Sequence, residues 1–114
     1  DFLLKNKKTK AFLEVKNVTL SRNRNISEFP DAITSRGKKH LVHLQDAIKK
    51  RFESYLLFLV QREDAKEFQI AKDIDPEYYN EIKKAKKNGV KIFAYSCKVN
   101  NKEISVNKKI KVKL

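Results

Sequence analysis

The chain has 114 residues, one cysteine and no methionine, and its 27 basic residues against 14 acidic ones leave a formal charge of +13. That length suits one domain with its own hydrophobic core. The lone Cys97 excludes an internal disulfide framework, and no apolar run approaches the ~20 residues of a membrane span. No signal-peptide pattern is present, so the expected compartment is the cytoplasm. The first residue is Asp1 rather than methionine, which predicts a piece of a longer chain.

Phe2-Leu3-Leu4 and Ala11 to Thr19 read as two strands joined by a polar, lysine-rich turn around Asn6 to Thr9. A loop is expected from Leu20 to Pro30. A helix follows from about Asp31 to Phe52, with Asp31 as its cap and Leu41, Leu44, Ile48 and Phe52 along one face. The unbroken apolar run Tyr55 to Val60 predicts a strand buried on both faces. Asp75, Pro76 and Asn88-Gly89 mark the cap, first turn and end of a second helix. Val90 to Tyr95 reads as another buried strand, and Ile104 to Leu114 as an edge addition. The expected class is α/β, a mixed β-sheet flanked by helices over residues 1–114.

The charge is unevenly spread. From Lys83 to Leu114 there are eleven lysines against one acid, Glu103, so this stretch carries +10 of the +13. Such a field attracts polyanions. Lys83, Lys84, Lys86 and Lys87 also suit the negative end of the second helix, which explains them without a ligand. The aromatics do not alternate with basic residues along the chain, so no stacking platform for single strands is expected.

The first hairpin carries the most specific chemistry. If Leu4 pairs with Ala11, then Glu14 lies opposite Asp1, with Cβ atoms ~5 Å apart. Two facing carboxylates repel, and a divalent cation between them turns that cost into a binding site. Lys16 falls on the same strand face as Glu14, about 6.7 Å along, where its ammonium can act on a phosphate. An acid followed about a dozen residues later by Glu-x-Lys is the pattern of the PD-(D/E)XK nucleases, although surface strands also alternate acid and base.

A wider resemblance runs along the chain. Glu14-Val15-Lys16-Asn17-Val18-Thr19-Leu20 resembles a segment of the sugar fermentation stimulation protein (SfsA) family. Phe29-Pro30-Asp31-Ala32, Thr34 and Arg36-Gly37-x-Lys39-His40-Leu41 resemble that family's signature. Phe58-x-Val60-Gln61-Arg62-x-Asp64-Ala65, Asp73-x-Asp75-Pro76-x-Tyr78 and Gly89-Val90 before Ala94-Tyr95 follow in the same order. The resemblance implies the C-terminal, restriction-endonuclease-like part of a DNA-binding protein, without its OB-like N-terminal part. It implies Asp1 and Glu14 as ligands of Mg²⁺ or Mn²⁺ and Lys16 as the catalytic lysine. DNA binding linked to regulation of sugar utilisation is then the expected function, with a metal-dependent nuclease as the alternative. DNA is the expected partner, a membrane is not, and a homodimer stays open.

Arg36 and His40 stand four apart near the start of the first helix, with Lys39 beside them. All three are candidate DNA contacts, because a helix N-terminus favours phosphate. His40 and His43 do not make a zinc site, since neither the cysteine count nor a third ligand supports one. Ser–His or Cys–His spacing for nucleophilic catalysis is absent, and Cys97 reads as a core residue.

Overall fold

The computed structural model describes residues 2–5, 10–100 and 103–114. Asp1 and the turn expected over Asn6 to Thr9 lie outside the described residues. In chain order the elements are β1 (Phe2–Lys5), β2 (Lys10–Val18), β3 (Leu20–Asn23), β4 (Ile26–Phe29) and α1 (Ser35–Lys49). There follow β5 (Glu53–Val60), β6 (Glu67–Ile70), α2 (Pro76–Lys87), β7 (Lys91–Val99) and β8 (Ile104–Lys113). The expected mixed sheet with helices forms, in the order β1-β2-β5-β7-β8-β6-β4-β3.

β1 and β2 pair antiparallel in the expected register, with Leu4 opposite Ala11 and Phe2 opposite Leu13. β2, β5 and β7 run parallel to one another, and β8 returns antiparallel to β7. β8 is not an edge, as the sequence suggested, because its far side pairs in parallel with β6. The sheet also curls. Four positions separate β5 from β4 in strand order, yet Phe29 of β4 packs 5.4 Å from Phe58 of β5. Phe58 in turn stacks on Phe68 of β6 at 4.3 Å, so strands from both ends of the sheet close around one core.

The two helices lie inside that curl. Ser54, Leu56, Phe58 and Val60 of β5 are buried beneath them, whereas Tyr55, Leu57 and Leu59 are only half-buried. The apolar run therefore does not mark a strand buried on both faces. The helices cover one side of the sheet and leave the other more open.

Residues 20–30 form no loop. β3 and β4 make a hairpin around Arg24-Asn25, where Asn25 takes φ 66°, a left-handed turn position that asparagine tolerates. The hairpin is clamped by charge. Arg22 forks onto Glu28 at 2.8 Å through two nitrogens and reaches both oxygens of Asp73, at 2.7 and 2.8 Å. Glu28 is almost wholly buried and also accepts from Gln69.

Helix α1 begins later than the sequence suggested, because Thr34 caps it, its hydroxyl accepting from Gly37 N at 2.9 Å. Asp31 is exposed and plays no such part. The helix also ends before Phe52, whose ring instead packs 5.3 Å from Phe12. Helix α2 matches the expectation: Asp75 Oδ1 accepts from Tyr78 N, Pro76 opens the helix, and Gly89 follows its end with φ 105°. The same Asp75 carboxylate accepts from Thr34 N at 2.9 Å through Oδ2. One buried side chain thus ties the cap of α1 to the start of α2. Gly37 lies at the contact between them, where an added Cβ would meet Thr34 Oγ1 at 2.9 Å and the Tyr78 ring at 3.0 Å. Ser54 Oγ donates to Leu44 O at 2.7 Å and fixes α1 on β5.

Two stability outcomes follow from these clamps. Asp75→Ala removes a helix cap and strands the Thr34 N–H, and should cost about 2–3 kcal/mol in denaturant unfolding. Arg22 holds the Asp73 pKa down at about 2, below its usual 3.8, and lowers that of Glu28 by hydrogen bonding. Depressed carboxylate pKa values stabilise the fold above the unfolded value and lose that contribution as pH falls through the folded one. Arg22→Ala should therefore be less stable than the parent at pH 7. The gap should narrow between pH 4 and about 2 in unfolding curves.

Candidate metal and phosphate site

β2 is the strand nearest α1 on the β1 side, and its alternation sends Phe12, Glu14 and Lys16 toward the helix. A carboxylate there sits in a costly place: the Glu14 side chain is only 9% exposed. Its charge must be met locally. Lys16 Nζ lies 3.0 Å from Glu14 Oε1, and His40 Nδ1, reaching down from α1, lies 2.8 Å from the same oxygen. Lys16 Nζ is also 2.7 Å from His40 Nδ1.

The protonation states follow from the surroundings. Burial, then the charges of Lys16, Arg36 and His43, lower the pKa of His40 and favour the neutral ring. Burial, and after it Arg36, also lowers the pKa of Lys16. An ammonium has three hydrogens to donate, so Lys16 serves Glu14 Oε1 and, in the tautomer with Nδ1 bare, His40 as well. In the other tautomer His40 Nδ1 donates to Glu14. In either tautomer a carboxylate oxygen and a ring nitrogen meet around the Lys16 ammonium. This arrangement suits a positive charge, and the Glu14 carboxylate offers the oxygen atoms that hard cations take. Among the described residues no group of three His, Cys, Asp or Glu side chains forms, and Asp1, the second expected ligand, lies outside them. The opposition of Asp1 and Glu14 is therefore not described, although the register it rests on holds as far as Phe2 and Leu13.

The expected phosphate contacts separate. Arg36 is exposed in the first turn of α1, close enough to act on both Lys16 and His40. His40 is half-buried and joins the carboxylate–lysine cluster rather than the outer surface. Lys39 points elsewhere, into a groove with Ile33, Ser35, Lys38, His43 and Glu77 where the two helix starts meet. Beside Glu14 lies a cavity of about 210 Å³ walled by Phe12, Leu44 and Ala47, with His40 and His43 on its border. The meeting of His40 with Glu14 and Lys16 was not foreseen. Its one trace in the sequence is that His40 stands a turn after Arg36.

The comparisons with known proteins agree with one another. The family model described as "Sugar fermentation stimulation protein RE domain" matches residues 1–103. The chain is 58% identical over 112 residues to the sugar fermentation stimulation protein homolog of Pelagibacter ubique, covering 98% of this chain and 48% of that protein. It is 40% identical over 113 residues to the homolog of Agrobacterium fabrum, covering 98% of this chain and 47% of that one. The structure of Pyrococcus furiosus SfsA in complex with Ca²⁺ superposes with a TM-score of 0.92 at 24% identity, over 100% of this chain and 49% of that one. The chain thus spans about half the length of the relatives it matches. It belongs to the sugar fermentation stimulation protein (SfsA) family.

Proposed function

We propose that this chain binds duplex DNA across the start of α1 and sets a backbone phosphate over Glu14 and Lys16. The observation that carries the reading is the convergence of Glu14, Lys16 and His40 beneath the exposed guanidinium of Arg36. A molecule with +13 charge draws DNA in through its phosphates. Arg36 and Lys39, both exposed in the first turns of α1, contact successive stretches of backbone. Regulation of sugar-utilisation genes belongs to this reading and takes its support from the family name alone.

Hydrolysis of the bound phosphodiester is the second reading, and the geometry of β2 favours it. A surface that only holds phosphate has no use for a buried carboxylate beside its lysine. In this reading the fold is restriction-endonuclease-like, and Glu14, with Asp1, holds Mg²⁺ or Mn²⁺. The ion supplies Lewis-acid charge to the phosphate and a more acidic bound water. Lys16 turns its ammonium from Glu14 to the developing negative charge. His40 keeps the Lys16 ammonium placed. Support for a cation comes from the P. furiosus protein, whose structure is a Ca²⁺ complex, and hard divalent ions share a preference for oxygen ligands.

Two measurements test the pair of readings. Mg²⁺ or Mn²⁺ at a hundredfold excess over Kd should stabilise the protein by ~2.7 kcal/mol, and Glu14→Ala should abolish that gain. An equal gain in the variant places the ion elsewhere. Mn²⁺-dependent cleavage of duplex DNA should fall about 100-fold in Lys16→Ala while binding survives. For binding itself, log K should fall against log salt by about 0.9 per phosphate contacted, and Arg36→Ala should make the slope shallower by about one such step. No cleavage of any DNA form with either metal leaves the binding reading alone.

A further inference from the structure

The side of the sheet turned away from α1 and α2 carries a second, separate set of groups. Odd-numbered residues of β5, and of β7 as far as Tyr95, face it, and the parallel register sets Tyr55 beside Lys91, Leu57 beside Phe93 and Leu59 beside Tyr95. The antiparallel return of β8 adds Lys109 beside Tyr95. Glu14, Lys16 and the buried Phe58 face the opposite way, so this surface and the site under α1 are divided by the thickness of the sheet.

The rings lie open in a way that core rings do not. Tyr55, Phe93 and Tyr95 are half-buried, and the Tyr55 and Phe93 rings run nearly parallel, with centroids 6.4 Å apart and planes 20° apart. Across each of these two rings lies a lysine: Lys91 Nζ is 5.6 Å from the Tyr55 centroid and Lys109 Nζ is 4.8 Å from that of Phe93. The acid at the border, Glu53, accepts a hydrogen bond from the Tyr55 hydroxyl at 3.0 Å and orients that ring. Reading along the chain gave no alternation of aromatic and basic residues. The alternation exists across strands, in the register of β5, β7 and β8.

We propose that this face binds single-stranded DNA, with bases stacked on Tyr55 and Phe93 and phosphates taken by Lys91 and Lys109. An exposed lysine over a ring is held by about two- to fivefold in binding terms, whereas a base stacked on an aromatic ring contributes about fivefold to a hundredfold. A base therefore displaces the lysine from the ring face, and the released ammonium meets the adjoining phosphate. Paired bases in a duplex keep their faces on one another and have none to offer, which sets the preference for a single strand. The proposal shares a polyanionic partner with the reading above. It needs neither the metal nor any residue of α1.

The test uses a fluorescein-labelled, 15-nucleotide oligo-dT and a 15-base-pair duplex, each titrated by anisotropy. Phe93→Leu keeps an apolar side chain and removes the ring. It should weaken oligo-dT binding at least fivefold while leaving duplex affinity unchanged. The double variant Lys91→Ser, Lys109→Ser should reduce the salt slope for oligo-dT by about 1.4, at about 0.7 per contact. The chain has no tryptophan, so its emission comes from four tyrosines, and oligo-dT should quench it. Tyr55→Phe should keep the affinity and lose part of the quench. Oligo-dT affinity that ignores both Phe93→Leu and the double lysine variant overturns the proposal. So does an unquenched emission, which is the result expected if another protein surface, a second copy included, covers this face.

Discussion

A carboxylate buried on the sheet beneath a helix is the constraint from which the site's geometry follows. Glu14 cannot sit between Phe12 and α1 unless cationic or hydrogen-bonding groups meet it, because an isolated buried charge costs far more than the surrounding packing returns. Lys16 reaches it from the same strand by the two-residue period, and His40 reaches it from the helix above. The distance at which α1 crosses β2 is therefore set by polar atoms as much as by the core. Burying ions in this way is weak evidence for stability, since apolar substitutes often do as well. It is better evidence for chemistry at that place.

The residues that hold α1 there are the ones that look most like a signature in the sequence, and most of them are architectural. Phe29 packs against Phe58 and Tyr78, Pro30 is fully buried, and Thr34 caps the helix. Gly37 leaves room for Thr34 and Tyr78 where no Cβ fits. Asp75, forty-one residues later than Thr34, binds its backbone N–H and fixes both helix starts with one carboxylate. Within the same stretch Arg36 and Lys39 stay exposed, and His40 turns inward. A motif of this kind mixes the frame with what the frame presents, and only burial tells them apart.

The sequence made legible whatever depends on local pattern. The β1–β2 register followed from counting around one turn, and both ends of α2 followed from Asp75, Pro76 and Gly89. What was hidden depends on partners distant in the chain. The β3–β4 hairpin has a poor alternation pattern, and its clamp needs Asp73, fifty-one residues from Arg22. Four-residue β6 is a strand because β4 and β8 flank it, not because its own residues announce one. Asp31 lost the cap of α1 to Thr34 because the chain runs on for three residues past Pro30 before it reaches the cap. For the site, Glu14 and Lys16 could be placed on one face by alternation, whereas the arrival of His40 required knowing which sheet face α1 covers.

The same face-by-face logic accounts for the uneven charge. Helix-end lysines such as Lys84, Lys86 and Lys87 compensate the carbonyl end of α2 and need no ligand. Lys113 pairs with Glu67, and Lys98 approaches Glu63 at 4.0 Å. Lys91 and Lys109 differ from these, because each lies across an aromatic ring on the open side of the sheet. Lys72 and Lys83 also flank a ring, that of Tyr79 on α2, and Lys10 lies over Phe52, but among the described residues no second ring stacks nearly parallel to either. Some lysines thus balance backbone or acids within the fold, and others are poised over rings. A lysine of the second kind gains by exchanging its present contact for a phosphate, since the ring it leaves is then free to take a base.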